Sequence, residues 1–196
     1  MIADSLIKNR IILASRSPRR QHLLRELGLN FDIVIKDYNE IYPEDIDGEE
    51  IARFIAHEKA ILFRNEISDN EIVIAADTIV WCKGRVLGKP LNSEDAIRML
   101  KEISGDTHEV ITGVCLYSSS KEKTFSASTK VTFEKLSEEE IRYYVEKFEP
   151  LDKAGAYGIQ EWIGIIGCSH IEGSYFNVVG LPVQRLYREL QDFILR

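Results

Sequence analysis

Four short stretches combine residue types that can handle phosphate. Ser15-Arg16-Ser17-Pro18-Arg19-Arg20 places two hydroxyls and three guanidinium groups between an apolar run and a helical pattern. The first turn of a helix presents unpaired N–H groups and the positive end of its dipole. Arginine there suits paired bonds to an anion. Ala75-Ala76-Asp77-Thr78 sets an acid where an apolar run stops, a place from which it can bind Mg²⁺ or orient water. Gly88-Lys89-Pro90, with Lys59 on or beside a helical stripe, offers cations that can offset polyphosphate charge. Asp152–Gln160 contains Gly155 and Gly158, which allow a ligand close to the backbone. Each stretch also has a plain explanation: a capped helix with solvated arginines, a turn-forming Asp, solvated lysines, a surface loop. Neither a Walker-type GxxxxGK[ST] nor a GxGxxG pattern accompanies them. Taken together, the four suit Mg²⁺–nucleotide handling.

The elements that must position these residues alternate between strand-like and helix-like. Ile11–Ala14 reads as a buried strand. Ser17 is an N-cap, Pro18 fits the first helical turn, and Gly28 can end the helix at positive φ. Phe31–Ile35 alternates like a strand, residues 37–48 read as an acidic loop, and Glu49–Arg64 as a helix. Ile72–Ala76 reads as a strand that ends at Asp77. Ile79–Cys82 and Arg85–Leu87 flank Lys83-Gly84 as a hairpin. Ser93–Ile103 is helical, and Glu109–Tyr117 and Thr124–Phe133 are strands. Ser137 with Glu140 forms a capping box for a helix reaching about Lys147, which Pro150 prevents from continuing. Residues 151–160 read as a loop, Trp162–Ile171 as a strand and Val183–Ile194 as an amphipathic helix. Mixing β–α units with hairpins predicts an α/β fold around a mixed sheet.

Composition excludes several classes. With 196 residues, 44% hydrophobic and 29% charged, the chain is ordinarily globular. It lacks an apolar stretch of about 18 residues, and its N-terminal apolar segment is too short for a secretory signal. We therefore expect a cytoplasmic protein with no membrane partner. A net charge of −7 disfavours nucleic acid as a partner. That average hides +4 over residues 1–30 and −11 over the remainder. Cys82, Cys115 and Cys168, like the four histidines, are scattered. They show no metal-ligand or nucleophile spacing, and the thiols read as buried and inert.

The chain resembles the Maf family of nucleoside triphosphate pyrophosphatases. LASRSPRRQHLL, EKA (58–60), AADTIV, LGKP (87–90), HEVITGV (108–114), EPLDKAGAYGIQ and EGSYFNVVGLP carry the resemblance, in that order, from about Ile11 to Leu186. DKAGAYGIQ is similar to the dTTP/UTP pyrophosphatase subgroup. The resemblance implies one domain over residues 1–196, with a mixed sheet, flanking helices and two lobes around a cleft, as in inosine-triphosphate pyrophosphatases. It implies hydrolysis of dTTP and UTP, or of modified pyrimidine nucleotides, to the monophosphate and pyrophosphate with Mg²⁺ or Mn²⁺. A homodimer is also implied. The family's association with septation offers an alternative: a nucleotide-binding regulator of cell division acting through a protein partner.

Carried over residue by residue, the resemblance makes Asp77 the proton acceptor, with Lys59 and Lys89 beside the chemistry. Arg19, Thr78 and Gln160 fall at positions tied to substrate selection. Ser15, Arg20 and Lys153 match other substrate-side positions. Glu40 is a candidate to share a metal with Asp77, on hard-oxygen chemistry. Whether Asp77 is base, metal ligand or both stays open. Two departures stand out. Asn39 precedes Glu40 where many members have an acidic pair, and Glu161-Trp162 follows Gln160 where small residues are common.

Overall fold

The computed structural model describes residues 9–39 and 41–195. Seven strands form one mixed sheet. They are β1 Arg10–Leu13, β2 Phe31–Ile33, β3 Glu71–Cys82, β4 Arg85–Leu87, β5 Thr107–Tyr117, β6 Glu122–Phe133 and β7 Cys168–Glu172. Their order is β2-β1-β3-β5-β6-β7, with β4 paired to β3. β1 runs parallel to β2 and to β3, whereas β3–β4 and β6–β7 are antiparallel. The helices are α1 Pro18–Glu26, α2 Gly48–Ile61, α3 Ser93–Ile103, α4 Glu138–Phe148, α5 Trp162–Gly167, α6 Tyr175–Val179 and α7 Val183–Leu195. None is long and apolar enough to cross a membrane, among the described residues. The mixed α/β fold expected from the sequence is the one observed.

The chain groups into two compact units. The first comprises residues 1–77, 112–127 and 180–196, and the second residues 78–111 and 128–179. In the first unit the local signals act as written. Ser17 accepts a hydrogen bond from the Arg20 amide, Pro18 opens α1, and Gly28 follows it at φ 74°. Helix α2 lies directly on the sheet. Ala52, Ala56 and Ala60, spaced four apart on one face, are fully buried. Gly113 of β5 sits under Ala52, and a Cβ there would run into the Ala52 carbonyl. Small residues on both partners permit this approach, because each added methyl would force the helix outward.

In the second unit, Lys83 and Gly84 both adopt positive φ (50° and 77°), as a two-residue type I′ hairpin requires. The Ser137–Glu140 capping box has both halves in place. The core gathers Leu100, Ile103, Phe133, Ile141 and Tyr144.

Three elements differ from the sequence expectation. β3 does not end at Asp77 but continues through it to Cys82. An acid interrupts a buried strand only if its charge is left unpaired, and Asp77 is paired. Trp162–Ile171 is not one strand: it divides into α5 and β7. A short apolar run reads alike for strand and helix. Here Ile163, Gly164 and Gly167 are buried while Ile165 and Ile166 face outward, which is helical spacing. Residues 150–156 are not a featureless loop but two short 3₁₀ turns, Pro150–Asp152 and Ala154–Ala156.

The second unit also buries a histidine. His108 is 2% exposed, its Nε2 lies 2.7 Å from Tyr157 Oη, and its Nδ1 has no hydrogen-bond partner among the described residues. Phe133 and Tyr157 meet its ring edge-on. Burial pushes its pKa down to about 4. His108 is therefore neutral in the fold, while the unfolded chain takes up a proton below its ordinary value of 6.5. Stability rises with pH between about 4 and 6.5. Urea melts at pH 7 and pH 5 should show a loss of about 2 kcal/mol from this group. The loss should vanish in His108→Gln.

Candidate active site

The residues singled out from the sequence fall into two groups, one in each unit. In the first unit, Asp77 lies mid-strand on β3 and is only 7% exposed. Lys59, in the last turn of α2, places its Nζ 2.6 Å from Asp77 Oδ1. The close seat of α2 on Gly113 brings the lysine within reach. A buried carboxylate needs such a partner, since desolvation without one costs several kcal/mol.

The arginine-rich turn sits against the same strand. Arg20 donates from Nη1 to the Ala76 carbonyl at 2.9 Å and from Nε to the Gly180 carbonyl at 2.8 Å. Nη1 also reaches Ser15 Oγ at 3.3 Å, and that hydroxyl accepts from the Ser17 amide at 3.3 Å. Arg20 thus brackets the residue before Asp77. Arg19, next to it on the first turn of α1, is partly exposed. Arg16, by contrast, is an exposed surface residue paired with Asp37. Glu40 lies outside the described residues.

The second unit holds Thr78, Lys89, Lys153 and Gln160. Thr78 follows Asp77 on β3 and is partly buried, while Lys89 and Gln160 are exposed. The Gly155 amide donates to the Gly88 carbonyl at 3.0 Å, tying the Lys89 segment to the turns that carry Lys153. Lys153 is not a solvated surface-loop side chain: it is 8% exposed. Its Nζ lies 2.7 Å from Asp152 Oδ1 and 3.2 Å from Glu161 Oε1.

Two residues here escaped the sequence reading. Glu161 registered only as a departure, and Tyr144 only as part of a helix. Tyr144 Oη donates to Glu161 Oε2 and accepts from the Gly158 amide at 3.1 Å. Burial, and then Glu161, push the Tyr144 hydroxyl far above its ordinary pKa, so it stays a donor. A tyrosine on the apolar stripe of Ile141, Tyr144 and Val145 was the available signal, because a buried hydroxyl demands a partner. Nucleophilic cysteine chemistry has no support. Burial raises Cys115 to about 11 and also raises Cys82 and Cys168.

A metal cage is likewise lacking: no group of three His, Cys, Asp or Glu could hold a metal among the described residues. The donor chemistry of Asp77 does fit a Mg²⁺-type ion in one arrangement. That arrangement uses one or two carboxylates, with substrate phosphates and water completing the shell.

Fold and side chains together define an α/β protein equipped for phosphate chemistry. The chain belongs to the Maf family, matching the Maf-like protein description over residues 10–193. A "dTTP/UTP pyrophosphatase" of Phocaeicola vulgatus is 54% identical over 189 residues, covering 96% of this chain and 98% of that protein. A relative of the same name from Flavobacterium johnsoniae is 48% identical, covering 99% and 100%. Among solved structures, the Staphylococcus aureus Ham1 protein aligns with a TM-score of 0.43 at 14% identity, over 64% of this chain and 72% of that one.

Lys59 and Asp77 should be energetically coupled. Lys59→Met leaves a buried carboxylate unpaired and should cost about 3 kcal/mol in urea unfolding. Adding Asp77→Asn should recover part of that loss. Strict additivity in the double-mutant cycle would show the pair to be uncoupled.

Proposed function

We propose that the protein is a nucleoside triphosphate pyrophosphatase that hydrolyses dTTP and UTP to the monophosphate and pyrophosphate. The observation that carries this is the buried Lys59–Asp77 pair in a chain about half identical, end to end, to relatives bearing that activity in their names. Lys59 holds Oδ1 of Asp77, and we assign Oδ2 to the attacking water. Asp77 takes that water's proton as the α–β phosphoanhydride breaks, and Lys59 keeps the carboxylate fixed. Arg20 positions Asp77 through the Ala76 carbonyl, and Arg19 supplies a guanidinium for a phosphate oxygen. Lys89 offsets charge on the leaving pyrophosphate. Asp77 would be the residue to hold a Mg²⁺ or Mn²⁺, which would supply further charge neutralisation when bound. Glu40 is the candidate second carboxylate.

Substrate choice falls to Thr78, Lys153 and Gln160. The Gln160 amide carries both a donor and an acceptor. Thymine and uracil present a carbonyl beside an N–H, which such an amide can match on both counts. Cytosine presents the reversed pair, an acceptor beside an amino donor, so only an amide held in one orientation discriminates against it.

Purified protein with Mg²⁺ or Mn²⁺ should release pyrophosphate and monophosphate from dTTP and UTP. Release of orthophosphate alone would place the cleavage at the wrong anhydride. Asp77→Asn should lose about 10²–10⁴-fold in kcat while its far-UV spectrum and cooperative melt persist. An unchanged kcat in that variant would remove Asp77 from the chemistry.

A further inference from the structure

Glu161 stands at the N-cap of α5, yet its side chain makes no capping bond. A carboxylate at that position ordinarily turns to the helix amides and gains from the dipole. This one turns away. Oε1 faces the Lys153 ammonium and Oε2 accepts from Tyr144 Oη. Tyr144 in turn is fully buried, stacked on Phe148, and its oxygen receives the Gly158 amide.

Gly158 completes the arrangement. A Cβ there would lie 2.8 Å from Glu161 Cδ and 3.1 Å from Gln160 Nε2. Both side chains therefore lie against the bare Gly158 backbone. The same carboxylate meets Lys153, and it and the Gln160 amide both border the space that a Gly158 Cβ would occupy.

We propose that Glu161, fixed by Tyr144, is a positioning residue that holds Lys153 and Gln160 in register and so sets which pyrimidine nucleotide is accepted. This rests on the pyrophosphatase reading above and deepens it. Asp152 also meets the Lys153 ammonium, but it is the adjacent residue and its side chain is mostly exposed. Glu161 reaches it from eight positions on and is itself braced. Without Glu161, the ammonium is drawn toward Asp152 alone and the Gln160 amide loses its neighbour. The reacting phosphates would be untouched, so the effect should fall on affinity and base choice.

The test measures kcat and KM for UTP, dTTP and CTP, with thermal midpoints, in wild type, Glu161→Ala, Glu161→Gln and Tyr144→Phe. Glu161→Ala should raise KM for UTP about tenfold and narrow the UTP-over-CTP preference by a similar factor, with kcat within about threefold. Glu161→Gln, which still accepts from Tyr144 Oη, should restore part of the preference. Tyr144→Phe should shift KM and preference in the same direction as Glu161→Ala, and it keeps the test open if Glu161→Ala does not fold. KM and preference within about twofold of wild type would overturn the proposal. So would an equal fall in kcat for all three nucleotides alongside a lowered midpoint, the mark of a merely structural residue. A wild-type protein that cleaves neither UTP nor dTTP would instead sink the pyrophosphatase reading, and this inference with it.

Discussion

A carboxylate inside a sheet must be paired, and much of the first unit follows from that constraint. Asp77 sits on a continuous strand, directly after the apolar stretch from Ile72 to Ala76. It is tolerated because Lys59 meets it at 2.6 Å. That contact needs α2 to lie close to the strands. The alanines at 52, 56 and 60 and the glycine at 113 make the approach possible. Arg20 then ties the neighbouring Ala76 carbonyl to Gly180 and Ser15. The result is a buried acid with one oxygen held by Lys59 and the carbonyl before it held by Arg20.

The second unit answers the same constraint with a different arrangement. Lys153 is a buried cation with two carboxylate partners, and Tyr144 is a buried hydroxyl with one donor and one acceptor partner. Each group would be costly alone, and as a connected set all are satisfied. His108 is handled differently. Among the described residues its Nδ1 has no hydrogen-bond partner, and its charge is suppressed rather than compensated. Polar groups in one core are thus treated in two ways. The connected set keeps its charges by pairing them, whereas the histidine gives up its proton and packs as an aromatic ring.

Where a signal was local and chemically unambiguous, the structure follows it. Ser17-Pro18, the Ser137–Glu140 box, the Lys83-Gly84 turn and the boundaries of α3 all depend on atoms within a few residues of each other. The amphipathic pattern at the C-terminus placed α7, although Phe193 rather than Ile194 is its buried terminal residue. The short apolar run at 162–167 misled because strand and helix share that composition, and a neighbouring turn decides between them.

The sequence by itself determined the class of chemistry. Arginines, lysines and an acid at those spacings suit phosphate, and the order of the stretches identifies the family. It also determined most element boundaries, since caps and turns are short-range effects. Only the tertiary structure decided which charges meet. Lys59 and Asp77 are eighteen positions apart on different elements, and Lys153 and Glu161 are joined across two turns. Arg20, from the first turn of α1, reaches the Ala76 and Gly180 carbonyls, 56 and 160 positions away. Such pairings turn on how close a helix can approach a strand, which depends on side-chain volume at distant positions and has no periodic trace along the chain.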